Sequence, residues 1–271
     1  MNPALNTELH HILDHRLLQI LFQPILDSAA HSVFGYEALV RGPSNSVLHA
    51  PMPLMRAAQE AGRLFELELL CRALAIQRFR ELALPGRLFL NVNPSSLLEP
   101  DFRTGETLRL LHAVGLSPRR VVIEITEQEP LGDYTVLRTA TQHYASAGFR
   151  IAIDDLGAGY AGLRLWSEVR PDFVKIDHHF IQNIHTDDVK REFVRSIRDM
   201  ARRLECRVIA EGIESEDEFT AVRRLGIRLH QGYHLGRPSL VPAPLNPQRF
   251  APPARNTRWQ EAAAPGSGHD C

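Results

Sequence analysis

The chain has 271 residues, 44% of them hydrophobic and 23% charged, with a formal net charge of −1. This fits a folded globular protein and offers no global basic field for a nucleic-acid polymer; no basic amphipathic segment marks a membrane surface. The length accommodates one large domain, since α/β barrels commonly run to about 250 residues as a single unit.

In chain order, the N-terminal stretch "MNPALNTELHHILDH" reads as a polar helix carrying His10, His11 and His15. It has acidic and polar residues where a secretion signal needs basic and then apolar ones. No later apolar run approaches the roughly 20 residues needed to cross a bilayer, so a cytoplasmic location is expected. Strands follow at Leu21–Ile25 and Val33–Val40, separated by "DSAAHS". That link is too short for a helical crossover, so the two strands should pair antiparallel. Two helices come next, Leu54–Ala61 and Phe65–Leu82, with apolar residues at three- and four-residue spacing, clearest in "FELELLCRALAIQRF".

From there short apolar runs alternate with helical patterns. The strands are Leu88–Val92, Val121–Ile125, Arg150–Ile153, Phe173–Ile176 and Arg207–Ala210, with a weaker one near Ile227–Leu229. The helices lie at 104–114, 134–147, 188–204 and 215–224. These strands are short, mostly β-branched or aromatic, and end in polar residues, as buried parallel strands do. The alternation describes a closed (β/α) barrel or a doubly wound sheet. Composition changes after "QGYHLGRP", giving an expected barrel over 1–240 and a Pro/Ala-rich, partly disordered tail over 241–271.

Cys71, Cys206 and Cys271 are odd in number and far apart, which excludes a disulfide framework and zinc ligand pairs. The histidines show no metal-site spacing either; His178-His179 follow a strand without partners.

Barrel chemistry gathers at the C-terminal ends of the strands. There the sequence carries Glu37 and Arg41 in "YEALVRG", Asn91 in "FLNVNP", and Glu124 and Glu127 in "VVIEITE". It continues with Asp154 and Asp155 in "IAIDD", Lys175 and Asp177 in "FVKID", Glu211 and Glu214 in "VIAEGIE", and Gln231 in "LHQGY". One acidic strand end is ordinary solvated surface. Glu124 and Glu211 differ, because each lies inside an apolar run. Burying several carboxylates together costs several kcal/mol per ion unless cations neutralise them. The set supplies oxygen ligands only, which suits Mg2+ or Mn2+, and adjacent aspartates can serve two metals when one of them bridges. The glycines of "GAGY" lack the Lys-Ser/Thr of a P-loop and the full G-x-G-x-x-G pattern, so they read as a tight, mobile turn. Tyr160 and Trp166 are expected to pack beneath it.

The ordered series "FQPI", "EALVR", "FLNVNP", "EITE", "DDLGAGYAGL", "PDFVKID", "AEGIE" and "QGYHLGRP" resembles the EAL family of cyclic-di-GMP phosphodiesterases, from about Leu9 to Pro238. The resemblance implies an α/β fold, a modified TIM (β/α)8 barrel with an antiparallel first strand pair. It also implies metal-dependent hydrolysis of cyclic di-GMP to linear pGpG in bacterial second-messenger signalling, two Mg2+ or Mn2+ ions per active site, and a homodimer. By the same resemblance, Glu37, Asn91, Glu124 and Asp154 hold one ion, and Asp154, Asp155 and Glu211 the other. Catalysis then falls to Glu211, Lys175 and Glu37. An activated water attacks phosphorus in line with the leaving 3′ oxygen, and Lys175 orients that water or stabilises developing charge. Glu211 is open to a ligand role or a general-base role. Arg41 is assigned to a phosphate, Gln23, Leu39, Asp177, Glu214 and Gln231 to substrate contact, and Glu127 to support of the loop after Asp155.

Four of the contact residues have a structural competitor. For Gln23 and Leu39 it is plain strand packing, for Asp177 a helix N-cap, and for Glu214 the start of the next helix. Departures from the family pattern lie in the loop: Leu156 and Ala158 stand where the family usually has Phe and Thr, and "YAGL" replaces a serine-containing ending. The missing Thr hydroxyl removes one hydrogen bond, worth about 1 kcal/mol. A receptor that binds cyclic di-GMP without turnover is the rival reading. Degenerate members of that kind usually lose a metal ligand or the catalytic Glu and Lys, and here all are present. No cyclase, sensor or receiver pattern accompanies the barrel, so a module of a longer chain is expected.

Overall fold

The computed structural model describes residues 3–93, 104–126, 134–159 and 162–245. Eight strands form a closed barrel in sequence order. They are β1 (Gln19–Asp27), β2 (Ser32–Arg41), β3 (Arg87–Val92), β4 (Val121–Thr126), β5 (Arg150–Leu156), β6 (Phe173–Ile176), β7 (Arg207–Ala210) and β8 (Leu229–His230). Strand β1 is antiparallel to both its neighbours, β2 and β8, and every other pair is parallel. The fold is therefore the modified TIM barrel expected, with the short β1–β2 link forcing the reversal. The weak final strand lies slightly later than expected and has only two residues; Ile227 is instead buried in the turn that follows the last helix.

Around the barrel lie α1 (Pro3–Asp14), α2 (Pro51–Glu60), α3 (Leu64–Glu81), α4 (Thr104–Ala113), α5 (Tyr134–Ser146), α6 (Gly162–Val169), α7 (His178–Ile181), α8 (Asp188–Arg203) and α9 (Glu216–Arg224). Two of these, α6 and α7, were not expected from periodicity. Helix α6 is two turns long and buries Leu165, Trp166 and Val169 at helical spacing, so Trp166 serves the helix that follows the glycine turn. Helix α7 is a single turn, too short to show a period, and is started by Asp177, whose carboxylate accepts the His179 N–H at 2.9 Å.

Strand alternation explains where the site sits. Ile25, Phe34, Phe89, Val122, Ala152, Phe173, Ile209 and Leu229, one from each strand, form a buried cluster that fills the barrel interior. Phe34, Phe89 and Phe173 meet there with centroids 5.6–6.1 Å apart. Side chains two residues apart share a strand face. The next interior layer is therefore Asn91, Glu124, Asp154, Lys175, Glu211 and Gln231, and, on the reversed β1, Gln23, which is paired with Glu37. An apolar plug closes the barrel below; the layer above it is polar.

Residues past β8 turn back along β1, where Phe22 and Ser239 exchange backbone hydrogen bonds of 2.8 and 3.1 Å. The tail from 246 onward, Cys271 included, lies outside the described residues. Cys71 and Cys206 are free, and burial pushes both thiols up to about 12, so neither is a reactive thiolate.

Candidate active site

The Lys175 ammonium, 1% exposed, stands at the centre of the polar layer. Its Nζ lies 2.7 Å from Glu211, 2.9 Å from both Glu124 and Asp154, and 3.3 Å from Glu37. Burial opposes its charge, yet Asp154, Glu124, Glu211 and Glu37 together outweigh that and hold it well above the ordinary lysine range.

Glu37 is held from several sides. Its Oε1 accepts the Asn91 amide at 2.9 Å, and its Oε2 accepts the Gln231 amide at 2.6 Å. Gln231 also donates to Gln23 Oε1 at 3.2 Å, and Gln23 in turn donates to the Gly236 carbonyl at 3.1 Å. Glu124 has no exposed surface, and neither of its oxygens makes a well-directed hydrogen bond; its contact with Lys175 is an ion pair. Burial is the first cause that raises the Glu124 and Glu211 carboxyls well above their usual range, and the neighbouring carboxylates add to it while Lys175 opposes.

Asp154 and Asp155 are consecutive, and in a regular strand they would face opposite ways. Here the β5–β6 register shifts between Ile153 and Leu156, and Asp155 takes a left-handed φ of +55°. The kink turns both carboxylates to the cavity, and the Asp155 N–H donates to Asp154 Oδ1 at 3.1 Å. Burial, then the Asp154 charge, pushes the Asp155 carboxyl up to about 6. Gly157 follows at φ +100°, where a Cβ would meet the Phe180 ring at 2.4 Å. Gly212, next to Glu211, has φ +67° and lets His178 approach its Cα side in the same way.

Carboxylate oxygens converge in two groups, Glu37/Glu124/Asp154 and Asp154/Asp155/Glu211, each within 4.8 Å. Asp154 belongs to both. These are the two carboxylate sets expected from the sequence. Asn91 meets the first through its amide contact with Glu37. Five carboxyl groups gather around one ammonium, three of them only partly buried, and their oxygen donors fit hard divalent cations.

Above this layer opens a cavity of about 430 Å3. Gln23, Leu39, Asp177, Glu214 and Gln231 all line it. Asp177 is at once cavity wall and helix cap, and Glu214 stands just before the α9 capping box of Ser215 and Glu218. Arg41 does not line this cavity; its guanidinium donates to the Val40 carbonyl at 2.7 Å. His178, Gln182 and Tyr233 line it without having been singled out. The "QGY" run could have flagged Tyr233; nothing in the sequence flags His178 or Gln182 before α7 is known. A second, more apolar cavity of about 570 Å3 lies between α2, α3 and the strand ends and shares Leu39, Asp154 and Asp155 with the first. Glu127 and Tyr160 lie outside the described residues.

Fold and site together define a (β/α)8 barrel with a cluster of carboxylates around one lysine at the C-terminal ends of its strands. The chain belongs to the EAL domain family, which it matches over residues 6–238. It is 30% identical over 247 residues to the cyclic di-GMP phosphodiesterase PdeF of Escherichia coli, covering 90% of this chain and 33% of that protein. Among solved structures, a standalone versatile EAL protein from Vibrio cholerae in its c-di-GMP-bound form is 30% identical, with a TM-score of 0.76 over 86% of this chain and 97% of the other. The Klebsiella pneumoniae BlrP1 manganese/cy-diGMP complex is 32% identical, with a TM-score of 0.76 over 82% of this chain and 56% of that one. The chain spans 21% to 52% of the length of several curated relatives. Among the described residues no helix is long and apolar enough to cross a membrane.

Proposed function

We propose that the protein is a cyclic-di-GMP phosphodiesterase that opens its substrate to linear pGpG with Mg2+ or Mn2+, acting in the bacterial cytoplasm as a homodimer. The observation that carries this reading is the convergence of Glu37, Glu124, Asp154, Asp155 and Glu211 around Lys175. Two ions held by these residues with Asn91 would supply an activated water nucleophile and neutralise phosphate charge.

The remaining work belongs to the chain. Lys175, kept charged by its neighbours, orients the water or stabilises negative charge on the phosphorane. Glu211, which contacts Lys175 at 2.7 Å, is placed to ligate and to take the water's proton. Asn91 and Gln231 fix the Glu37 carboxylate so that it cannot rotate out of the ligand set. Asp177 and Glu214 offer acceptors to the N–H edge of a guanine, Leu39 gives an apolar wall, and Arg41 at the end of β2 is assigned to a phosphate.

The test is incubation of purified protein with cyclic di-GMP and Mg2+ or Mn2+, followed by chromatography for pGpG. Metal-dependent product supports the reading. Binding of cyclic di-GMP without product would replace it with the receptor reading.

A further inference from the structure

We propose that Glu68, on the outer helix α3, is a positioning residue for the metal centre, setting the end of β3 from which Asn91 reaches Glu37. This rests on the reading of Asn91 and Glu37 as metal ligands. Glu68 is 5% exposed and Arg72, one turn further along α3, is 3% exposed. Both line the second cavity beside Asn91, Asn93, Asp154 and Asp155.

The β3–β4 ladder ends at Val92, opposite Ile125. The next backbone N–H, that of Asn93, is donated to Glu68 Oε1 at 3.1 Å. Glu68 thereby holds the backbone one residue beyond the last strand pair, just past Asn91. Arg72 anchors the same wall to two further helices, donating to Thr107 Oγ1 of α4 and to the Tyr144 hydroxyl of α5, each at 3.2 Å. Thr107 and Tyr144 have no exposed surface.

An apolar pair of similar volume at 68 and 72 would pack α3 on the barrel without burying charge, and such replacements are often neutral or stabilising. What an apolar pair cannot provide is an acceptor for the Asn93 N–H. Outer partners of this kind typically change metal affinity by 10- to 100-fold when lost.

The difference between packing and positioning supplies the test. Mn2+ affinity is measured by calorimetry and thermal stability by circular dichroism on the full chain. Three variants are compared with wild type: Glu68→Gln, the double variant Glu68→Leu/Arg72→Met, and Asn93→Pro. Glu68→Gln keeps a carbonyl acceptor and should bind Mn2+ within about threefold of wild type. The double variant should fold with a lowered melting temperature, because the Asn93 N–H, Thr107 and Tyr144 lose buried partners, and bind Mn2+ at least about tenfold more weakly. Asn93→Pro removes the donated N–H with α3 untouched and should show the same loss. A folded double variant or a folded Asn93→Pro variant that binds Mn2+ like wild type overturns the proposal. A folded wild type that binds no Mn2+ overturns the metal-centre reading itself, an outcome distinguishable from the first.

Discussion

Lys175→Met tests the electrostatic design of the site most directly. The substitution keeps much of the aliphatic stem and deletes the ammonium that four carboxylates approach at 2.7–3.3 Å. A single such contact at 4 Å is worth about 4 kcal/mol at an effective dielectric constant near 20, before desolvation and carboxylate repulsion are subtracted. Breaking a buried pair by removing one partner costs about 3–5 kcal/mol in practice. For a domain of this size that corresponds to roughly 6–20 °C in Tm.

The pH dependence of this loss has a definite sign. Burial and neighbouring carboxylates raise Glu124 and Glu211 in the folded protein, so the native state holds their protons more tightly than the unfolded chain does. Their stabilising contribution is full below the unfolded value and disappears as pH rises through the folded one. Without Lys175 nothing offsets the ionised forms, so the deficit should grow with pH. Denaturant titrations in EDTA at pH 5.5 and pH 8 should show a small gap at the first and the full loss at the second, with Mn2+ narrowing it. A Lys175→Met protein as stable as wild type at pH 8 in EDTA would refute the reasoning.

Other outcomes follow from the same geometry. Glu211→Ala should keep its circular dichroism spectrum while pGpG formation falls by about 10²- to 10⁴-fold, and retained turnover in that variant would remove Glu211 from the mechanism. Mn2+ must displace protons from Asp155, whose carboxyl is pushed up to about 6, and from the raised Glu124 and Glu211, so calorimetry should show affinity weakening by at least about tenfold per pH unit below pH 6. A flat profile from pH 7 to pH 5 speaks against Asp155 as a ligand. Gly157→Ala places a Cβ 2.4 Å from the Phe180 ring at φ +100°, so it should cost about 1–3 kcal/mol and weaken metal binding; a neutral result would mean the turn relaxes freely. Ala158→Thr should raise kcat by up to about fivefold if the missing hydroxyl limits the loop, and an unchanged rate would place the limit elsewhere.

Most of the fold was legible because strand alternation and helical spacing are local signals. The antiparallel start followed from the length of "DSAAHS" alone. Helix α7 escaped because one turn has no period, and with it escaped His178 and Gln182, which reach the cavity only because that turn folds over the strand end. Arg41 was assigned by the resemblance and its guanidinium chemistry, whereas its orientation toward the Val40 carbonyl is a property of the local backbone.

By itself the sequence determined most of one layer: Asn91, Glu124, Asp154, Lys175, Glu211 and Gln231 each follow an apolar barrel residue by two positions, whereas Glu37 follows Phe34 by three and joins them only through the β1–β2 register shift. It also determined that the candidate metal ligands of that layer offer oxygen only. Only the tertiary structure decided that Asp154 and Asp155 face the same cavity, because a register shift and a left-handed residue must cancel the strand's alternation. Only it decided that Lys175 stands among the carboxylates as their counterion, since that depends on barrel closure bringing carboxylates from β2, β4, β5 and the end of β7 within 3.3 Å of the ammonium on β6.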